Sequence, residues 1–326
     1  MSPISTPTMA ERVRNLLSLP RRQIRSLFPA GMPRWLWLVF QLIALALATV
    51  GTYYAWREFP RDVRIEPVFF ALAIGLYVLS FGMHLLGWHA LTRIFFGAGD
   101  ISLGANVEAI AGSNLVKYLP TIVWYIANRS HFYHARGVAQ KSVVIASLSE
   151  LALMIGSGAT LLLSLWAGRT LSPLAAIPLG LAGFAVLIWA LARHAGGQGG
   201  ARRWYWGAAL IWYGGSWPMG VLIMWAIVRA FVPINLADLL TIANIWLLAG
   251  LASYAMSLTL GAIGIAREIT LTVLVAQHWP LAAGIAAAIM VKLILTLGEI
   301  VCSLIILGCL QMWRWLAARS RSGEGL

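Results

Sequence analysis

Apolar stretches about twenty residues long recur along almost the whole chain, and nothing else in it constrains the fold so tightly. A helix needs about 20 apolar residues to cross a ~30 Å hydrocarbon core, where every backbone N–H and C=O must be satisfied within the protein. Six stretches read as complete crossings: residues 35–54, 67–86 with a continuation towards 96, 142–166, 171–191, 205–228 and 283–313. Two more, 104–127 and 239–274, are interrupted by Gly, Pro, polar and charged residues and read as broken or re-entrant helical hairpins. The expected fold is an all-α polytopic integral membrane protein with about six full transmembrane helices and two such hairpins. Composition agrees, since 60% hydrophobic and 11% charged residues leave nothing over for a soluble catalytic domain. Soluble domains carry roughly 25% charged residues.

The remaining charge is lopsided, with 24 Lys and Arg against 11 Asp and Glu, a net +13. In a soluble protein that excess would point to nucleic acid. Here its distribution points to topology and to anionic headgroups, and no nucleic-acid partner is expected. With the N-terminus inside, seventeen of the 24 fall on the cytoplasmic side and five outside, while Arg267 and Lys292 lie in the membrane or at its edge. This bias requires each broken hairpin to enter and leave on one side. Both termini are therefore predicted cytoplasmic, with the chain in the plasma (inner) membrane.

Three regions follow: a basic N-terminal segment, 1–34; a membrane domain, 35–313; and a short cytoplasmic tail, 314–326. Within the first, residues 12–28 mix Arg with Leu, Ile and Phe and fit either a helix lying on headgroups or a disordered basic tail. Trp35, Trp37, Trp56, Trp166, Trp204, Trp206, Trp313 and Trp315 fall at span ends, where indoles favour the interface. The other tryptophans read as packing residues. Cys302 and Cys309, seven apart on one helical face, are too distant to bridge and read as small buried apolar residues.

The two broken stretches resemble one another. The run from Leu119 to Arg129 can be laid over that from Leu258 to Glu268, and each precedes a long span with an ionisable residue, Glu150 or Lys292. Three full spans separate them, so they would enter the membrane from opposite sides. One reading is an inverted repeat, the arrangement that places transporter substrates near the midplane between broken helices; the other is chance similarity between two Ala/Gly/Leu-rich segments of low identity.

Ionisable residues in hydrocarbon cost on the order of 2.5–3.5 kcal/mol each, so each needs a partner or a wet cavity. Lys117, Arg129, Glu150, Arg267, Glu268, Lys292 and Glu299 are the candidates. One reading is structural ion pairing between hairpins and spans. Lys292 and Glu299 share a helix face but are too distant for a direct pair, so each would meet a charge elsewhere, such as Glu150 or Arg267. The other reading is substrate contact: Lys117, Arg129, Arg267 and Lys292 at helix breaks suit a phosphate or other anionic headgroup. Gly112, Pro120, Gly261 and Gly264 mark where the backbone can break, and Tyr118, Trp124, Tyr125 and Tyr254 either line a cavity or pack. Glu150, Glu268 and Glu299 would pair with the cations or respond to coupled protons.

Enzymatic signatures are missing. The sequence has no phosphate-binding loop, no His-Glu-x-x-His and no Asp-x-Asp pair, and the spacings of His84 with His89 and His131 with His134 do not favour a metal. Neither catalysis nor a cofactor or metal is expected.

At the hairpins the chain resembles the lysylphosphatidylglycerol synthase transmembrane-region family, also described as flippase-like. The resemblance rests on Asn114-Leu-Val-Lys-Tyr-Leu-Pro120, Trp124, Arg129, Gly137-Val and Ser149-Glu150 in the first half. In the second it rests on Gly261-Ala-Ile-Gly264-Ile-Ala-Arg267-Glu268 and the span bearing Lys292. It covers about residues 67–310. Three positions depart from the family pattern: Thr121 where Gly is common, Ser257-Leu-Thr-Leu260 in place of a Pro-Gly approach, and Lys292 in place of Arg. The resemblance implies translocation of an anionic lipid or a polyprenyl-phosphate-linked saccharide. Its alternative implication is a non-transporting accessory role beside a lipid-dependent transferase. The family's soluble aminoacyl-transfer domain has no counterpart here, so lysine transfer is not expected.

Overall fold

The computed structural model describes residues 65–96, 101–116, 123–194, 200–260 and 265–321, with isolated positions at 39, 42, 46, 50, 53 and 57. The basic segment 1–34 and most of the expected span 35–54 lie outside these residues. All regular structure among the described residues is helical: α1 (Pro67–Phe95), α2 (Leu103–Val116), α3 (Val123–His134), α4 (Gln140–Thr170), α5 (Pro173–His194), α6 (Gly200–Arg229), a 3-10 turn (Leu236–Asp238), α7 (Leu239–Leu260), α8 (Ile265–Ala276) and α9 (Leu281–Arg321). These helices belong to one unit, Phe40–Leu326.

Among the described residues six helical segments are long and apolar enough to cross a membrane: Pro67–Phe95, Gln140–Thr170, Leu174–Arg193, Trp204–Arg229, Leu236–Met256 and Leu281–Leu316. The other three helices, α2, α3 and α8, have 14, 12 and 12 residues. At 1.5 Å per residue they reach only about 20 Å and cannot cross alone. The apolar surface is also left uncovered. On α5, Leu174, Ile177, Leu181, Val186 and Trp189 are each at least 60% exposed. Water would not tolerate so continuous a face, whereas hydrocarbon imposes no penalty on it. The chain is an all-α polytopic membrane protein.

Both interrupted stretches come as two helices, but the second is unequal. Its first arm, α7, runs unbroken for 22 residues and is long enough to cross by itself. Gly250 and Ser253 sit inside this helix. Gly250 has a packing role. A Cβ built there would lie 2.5 Å from the Trp217 ring, and one built on Gly158 of α4 would meet the same ring at 2.5 Å. Two missing side chains thus seat one buried indole of α6 between α4 and α7. The break between α7 and α8, with Gly261 and Gly264, lies outside the described residues, as do Lys117, Tyr118 and Pro120 between α2 and α3.

The most extensive helix pair is α1 with α6. Their ends are tied where the Glu66 N–H donates to the Ala230 carbonyl at 2.9 Å and Arg229 meets the Glu66 carboxylate at 3.1 Å. Helix α6 also touches α4, α5, α7 and α9, which places it at the centre. The short α2–α3 pair packs against α1, α4 and α9, and α8 lies against α7 and α9. Helix α3 ends in a Schellman turn: Val138 N–H donates to the Tyr133 carbonyl and Gly137 N–H to that of His134. Gly137 has φ +83°, which explains a glycine there.

Two expectations change. Cys302 is half-buried but Cys309 is exposed on the apolar surface, both being free, so only one of the pair lies partly within the packing. The helix expected to end at 313 continues to Arg321 as part of a 41-residue α9, about 60 Å long. No Gly or Pro intervenes before Gly323, so local propensity carries the helix on.

Candidate functional site

Charged and polar groups inside the helix bundle fall into two clusters. The first joins α3 to α4. Arg129 is 1% exposed and its Nη1 donates to the Glu150 Oε2 in a direct ion pair. Its Nε donates to Ser113 Oγ of α2 at 3.2 Å. The guanidinium carbon lies over the Trp88 ring, 3.8 Å from its centroid, and over the Tyr125 ring at 3.9 Å. Glu150 is equally committed. Oε2 also accepts from the Tyr125 hydroxyl at 2.9 Å, and Oε1 accepts from the Tyr213 hydroxyl of α6 at 3.0 Å.

From there a polar chain runs through the core. Trp88 Nε1 donates to the Tyr133 hydroxyl (2.7 Å), which donates to Asn106 Oδ1 (2.6 Å). Asn106 Nδ2 donates to Thr92 Oγ1 (2.8 Å) and faces His89 Nδ1 at 2.7 Å. Five helices are stitched together, and the Arg129 charge is neutralised where water is excluded. Such a pair recovers its desolvation cost only when the remaining donors and acceptors are satisfied, as many are here.

The second cluster lies on α7, α8 and α9 and is built differently. Arg267 and Glu268 open α8, while Lys292 and Glu299 sit on α9, all half-buried. Arg267 and Lys292 are the cations acting on the Glu268 carboxylate. The Tyr254 hydroxyl of α7 lies within electrostatic reach of Arg267, Glu150 and Glu299, which brings the two clusters near one another. Yet among the described residues Arg267 and Lys292 form no ion pair, and Arg267 Nε and Glu268 Oε2 are covered without a hydrogen-bond partner.

Three other covered atoms lack partners: the hydroxyls of Ser130, Ser147 and Ser303. Ser130 adjoins Arg129. Ser147 is one helical turn before Glu150, and Ser303 one turn after Glu299. Every such atom among the described residues is therefore on, or within one turn of, a charged residue of the two clusters. Buried polar groups are nearly always satisfied, so these atoms are unused donors and acceptors that water, an ion or a ligand would meet.

The pairings expected from spacing are only partly seen. Glu150 takes Arg129 rather than Lys292 or Arg267. Tyr125 belongs to the Arg129 cluster, and Trp124 is half-buried beside it on α3. Asn106, Tyr133 and Tyr213 carry no local mark in the sequence, being uncharged polar residues in apolar helices, and Trp88, which reads as a packing residue, also donates to Tyr133 and lies under Arg129. Glu108 did carry one, an acid within the first interrupted stretch. It accepts from Arg314 of α9 and from Arg136, tying α2 to both. No family model, curated protein or solved structure matches the chain.

Proposed function

We propose that the chain translocates an anionic membrane lipid, a phospholipid or a polyprenyl-phosphate-linked saccharide, and that Arg267 and Lys292 receive its phosphate. The observation that carries this reading is the contrast between two sets of cations. Arg129 is enclosed by aromatic rings and already bound to Glu150. Among the described residues Arg267 and Lys292 are half-buried without an ion pair, and Arg267 keeps a covered N–H with no acceptor there. A phosphate would accept from Arg267 in the bidentate manner guanidinium favours, and the N-terminus of α8 would add its positive end.

In this reading Arg129 and Glu150 hold the α3 and α4 side of the cavity in shape. Glu268 keeps the two cations in balance until the lipid arrives. The likeness between the two interrupted stretches in sequence, and the family resemblance of both, support placing the site beside α8, although α7 is a full-length arm where α2 is short. No covalent chemistry is needed.

The test is flipping of fluorescent phosphatidylglycerol, and separately of a labelled polyprenyl phosphate, in liposomes containing the purified chain. Arg267→Gln and Lys292→Gln should abolish acceleration of whichever lipid is moved, and a phosphate-free analogue should not be accelerated by the native protein. Unchanged flipping by both variants would falsify the assignment of the phosphate site. A chain that only supports a partner transferase would accelerate neither lipid and would co-purify with that enzyme. Cysteine labelling at Ser5, Ser172, Gln198 and Gly323 in a cysteine-free background tests the orientation, with Ser5, Gln198 and Gly323 expected on the cytoplasmic side.

A further inference from the structure

Between α4, α5, α6 and α7 lies an apolar groove of about 450 Å³, open along much of its surface and separate from the charged clusters. Leu161 of α4, Val221 of α6, and Leu240 and Leu247 of α7 line it, together with Trp217 and Pro218 of α6. One proline lines it and another lies close by. Pro218 lies inside α6, where it cannot donate to the Gly214 carbonyl and its ring crowds that group. Pro178 does the same inside α5, two residues from lining Ala176. Helices interrupted in this way do not pack as straight, closely spaced cylinders.

The groove offers water almost nothing. Of its polar groups, Ser164 Oγ donates to the Thr160 carbonyl at 2.8 Å and Trp217 Nε1 to the Met154 carbonyl at 3.0 Å, so both protons are already committed. A buried water needs 2–4 polar partners, which this lining does not provide. The four flanking helices are all among those long and apolar enough to cross the membrane, so the medium beside the groove is hydrocarbon. An apolar cavity of about 150 Å³ admits benzene, and on that scale this one has room for on the order of fifteen carbons. A polyprenyl chain several times longer would overrun it.

The groove also adjoins the second cluster. Trp217, which lines it, packs edge-on against Tyr254, with ring centroids 6.2 Å apart. Tyr254 is within electrostatic reach of Arg267. One aromatic pair thus links the groove to the neighbourhood of Arg267, which has no ion pair among the described residues.

We propose that this groove takes one acyl chain of a phospholipid, the tail of the molecule whose phosphate Arg267 and Lys292 receive. The inference rests on the reading of that site given above and narrows its substrate from any anionic lipid to a phospholipid. Trp217 and Tyr254 then mark the level at which tail gives way to headgroup.

The test uses the full chain in phosphatidylcholine nanodiscs containing phosphatidylglycerol with a diazirine near the end of one acyl chain. After photolysis, labelled peptides are quantified by mass spectrometry. Label should concentrate on the lining segments of α4, α6 and α7 rather than spread over outward-facing residues such as Leu181. Ala243→Trp, which fills the space from α7, should lower labelling there by about tenfold. Thermal melting and monodispersity check that the variant is folded. If it is not, Ala176→Leu enters the groove from α5 and should give a smaller loss in the same peptides.

An even spread of label overturns the proposal, as does undiminished labelling in a folded, filled variant. Stronger labelling of the same peptides by a diazirine-bearing polyprenyl phosphate also overturns it. Arg267→Gln should lower acyl labelling severalfold, because it removes the phosphate contact of the same lipid molecule and with it the local concentration of the tail. If Arg267→Gln spares flipping while the groove is labelled, the phosphate reading fails and the tail site stands. If the groove is unlabelled while Arg267→Gln abolishes flipping, the tail site fails and the phosphate reading stands.

Discussion

Arg129 and Glu150 form an ion pair between α3 and α4 in which the arginine is 1% exposed and the carboxylate accepts from two tyrosines as well. Removing one member of a buried pair strands the other in a medium that cannot solvate it, at a cost of about 3–5 kcal/mol. Arg129→Gln and Glu150→Gln should therefore each lower unfolding stability in detergent by roughly that amount. Replacing both together, as Arg129→Met with Glu150→Leu, should cost less than the sum of the two single changes. Single variants that melt like the native protein would show that the pair is not holding these helices.

The seat of Trp217 is equally specific. A methyl group on Gly158 or Gly250 would press on the indole from α4 or from α7. The ring cannot yield easily, because its N–H is bound to the Met154 carbonyl and its face packs against Tyr254. Gly250→Ala and Gly158→Ala should each destabilise by about 1–3 kcal/mol, as overpacked cores do. Intrinsic tryptophan emission and a thermal melt would report it. Gly207→Ala provides the control, since a Cβ there meets nothing within 4 Å.

The same glycine shows what a sequence does and does not disclose. Hydropathy and length suffice to find long helices, since a crossing is a property of one segment and its medium. The high cost of charge in hydrocarbon likewise singles out Arg129, Glu150, Arg267, Glu268, Lys292 and Glu299 before any coordinates exist. Gly250 carries no local mark of its purpose, a place for Trp217, because that is set by a residue 33 positions earlier on another helix. The choice of Arg129 for Glu150, over Lys292 or Arg267, is also a matter of which helices meet. Periodicity reports faces, but not which face will be opposite. The tyrosines and Asn106 are harder still, because their importance comes wholly from the charges they end up beside.

Glu108 illustrates a weaker tie with a local readout. Its two oxygens receive both terminal nitrogens of Arg314, one at 3.0 Å, and Oε2 also accepts from Arg136 at 3.2 Å. Arg314 is half exposed, so the bridge contributes at most about 1 kcal/mol and is weakened by salt. Arg314→Ala should leave the global melt nearly unchanged while speeding amide exchange in the last turns of α9. High salt should produce part of the same effect in the native protein and none in the variant. Equal exchange in both proteins would mean that the bridge does not tether the end of α9.

Arg267 should behave in the opposite way to Arg129. It has no ion pair to lose among the described residues, and its covered Nε finds no acceptor. Arg267→Gln removes a charge that the fold desolvates without repayment, although it also deprives Glu268 of a nearby cation. The two effects oppose each other, so the variant should melt within about 1 kcal/mol of the native protein, against the several lost by Arg129→Gln. Residues kept for ligands are commonly ones the empty fold could do without. Added anionic lipid should then separate the proteins: it should raise the melting temperature of the native chain and of folded Arg129 variants, and leave Arg267→Gln unmoved. A loss of several kcal/mol from Arg267→Gln in the absence of lipid would instead make Arg267 a structural residue and remove the main support for a phosphate site on α8.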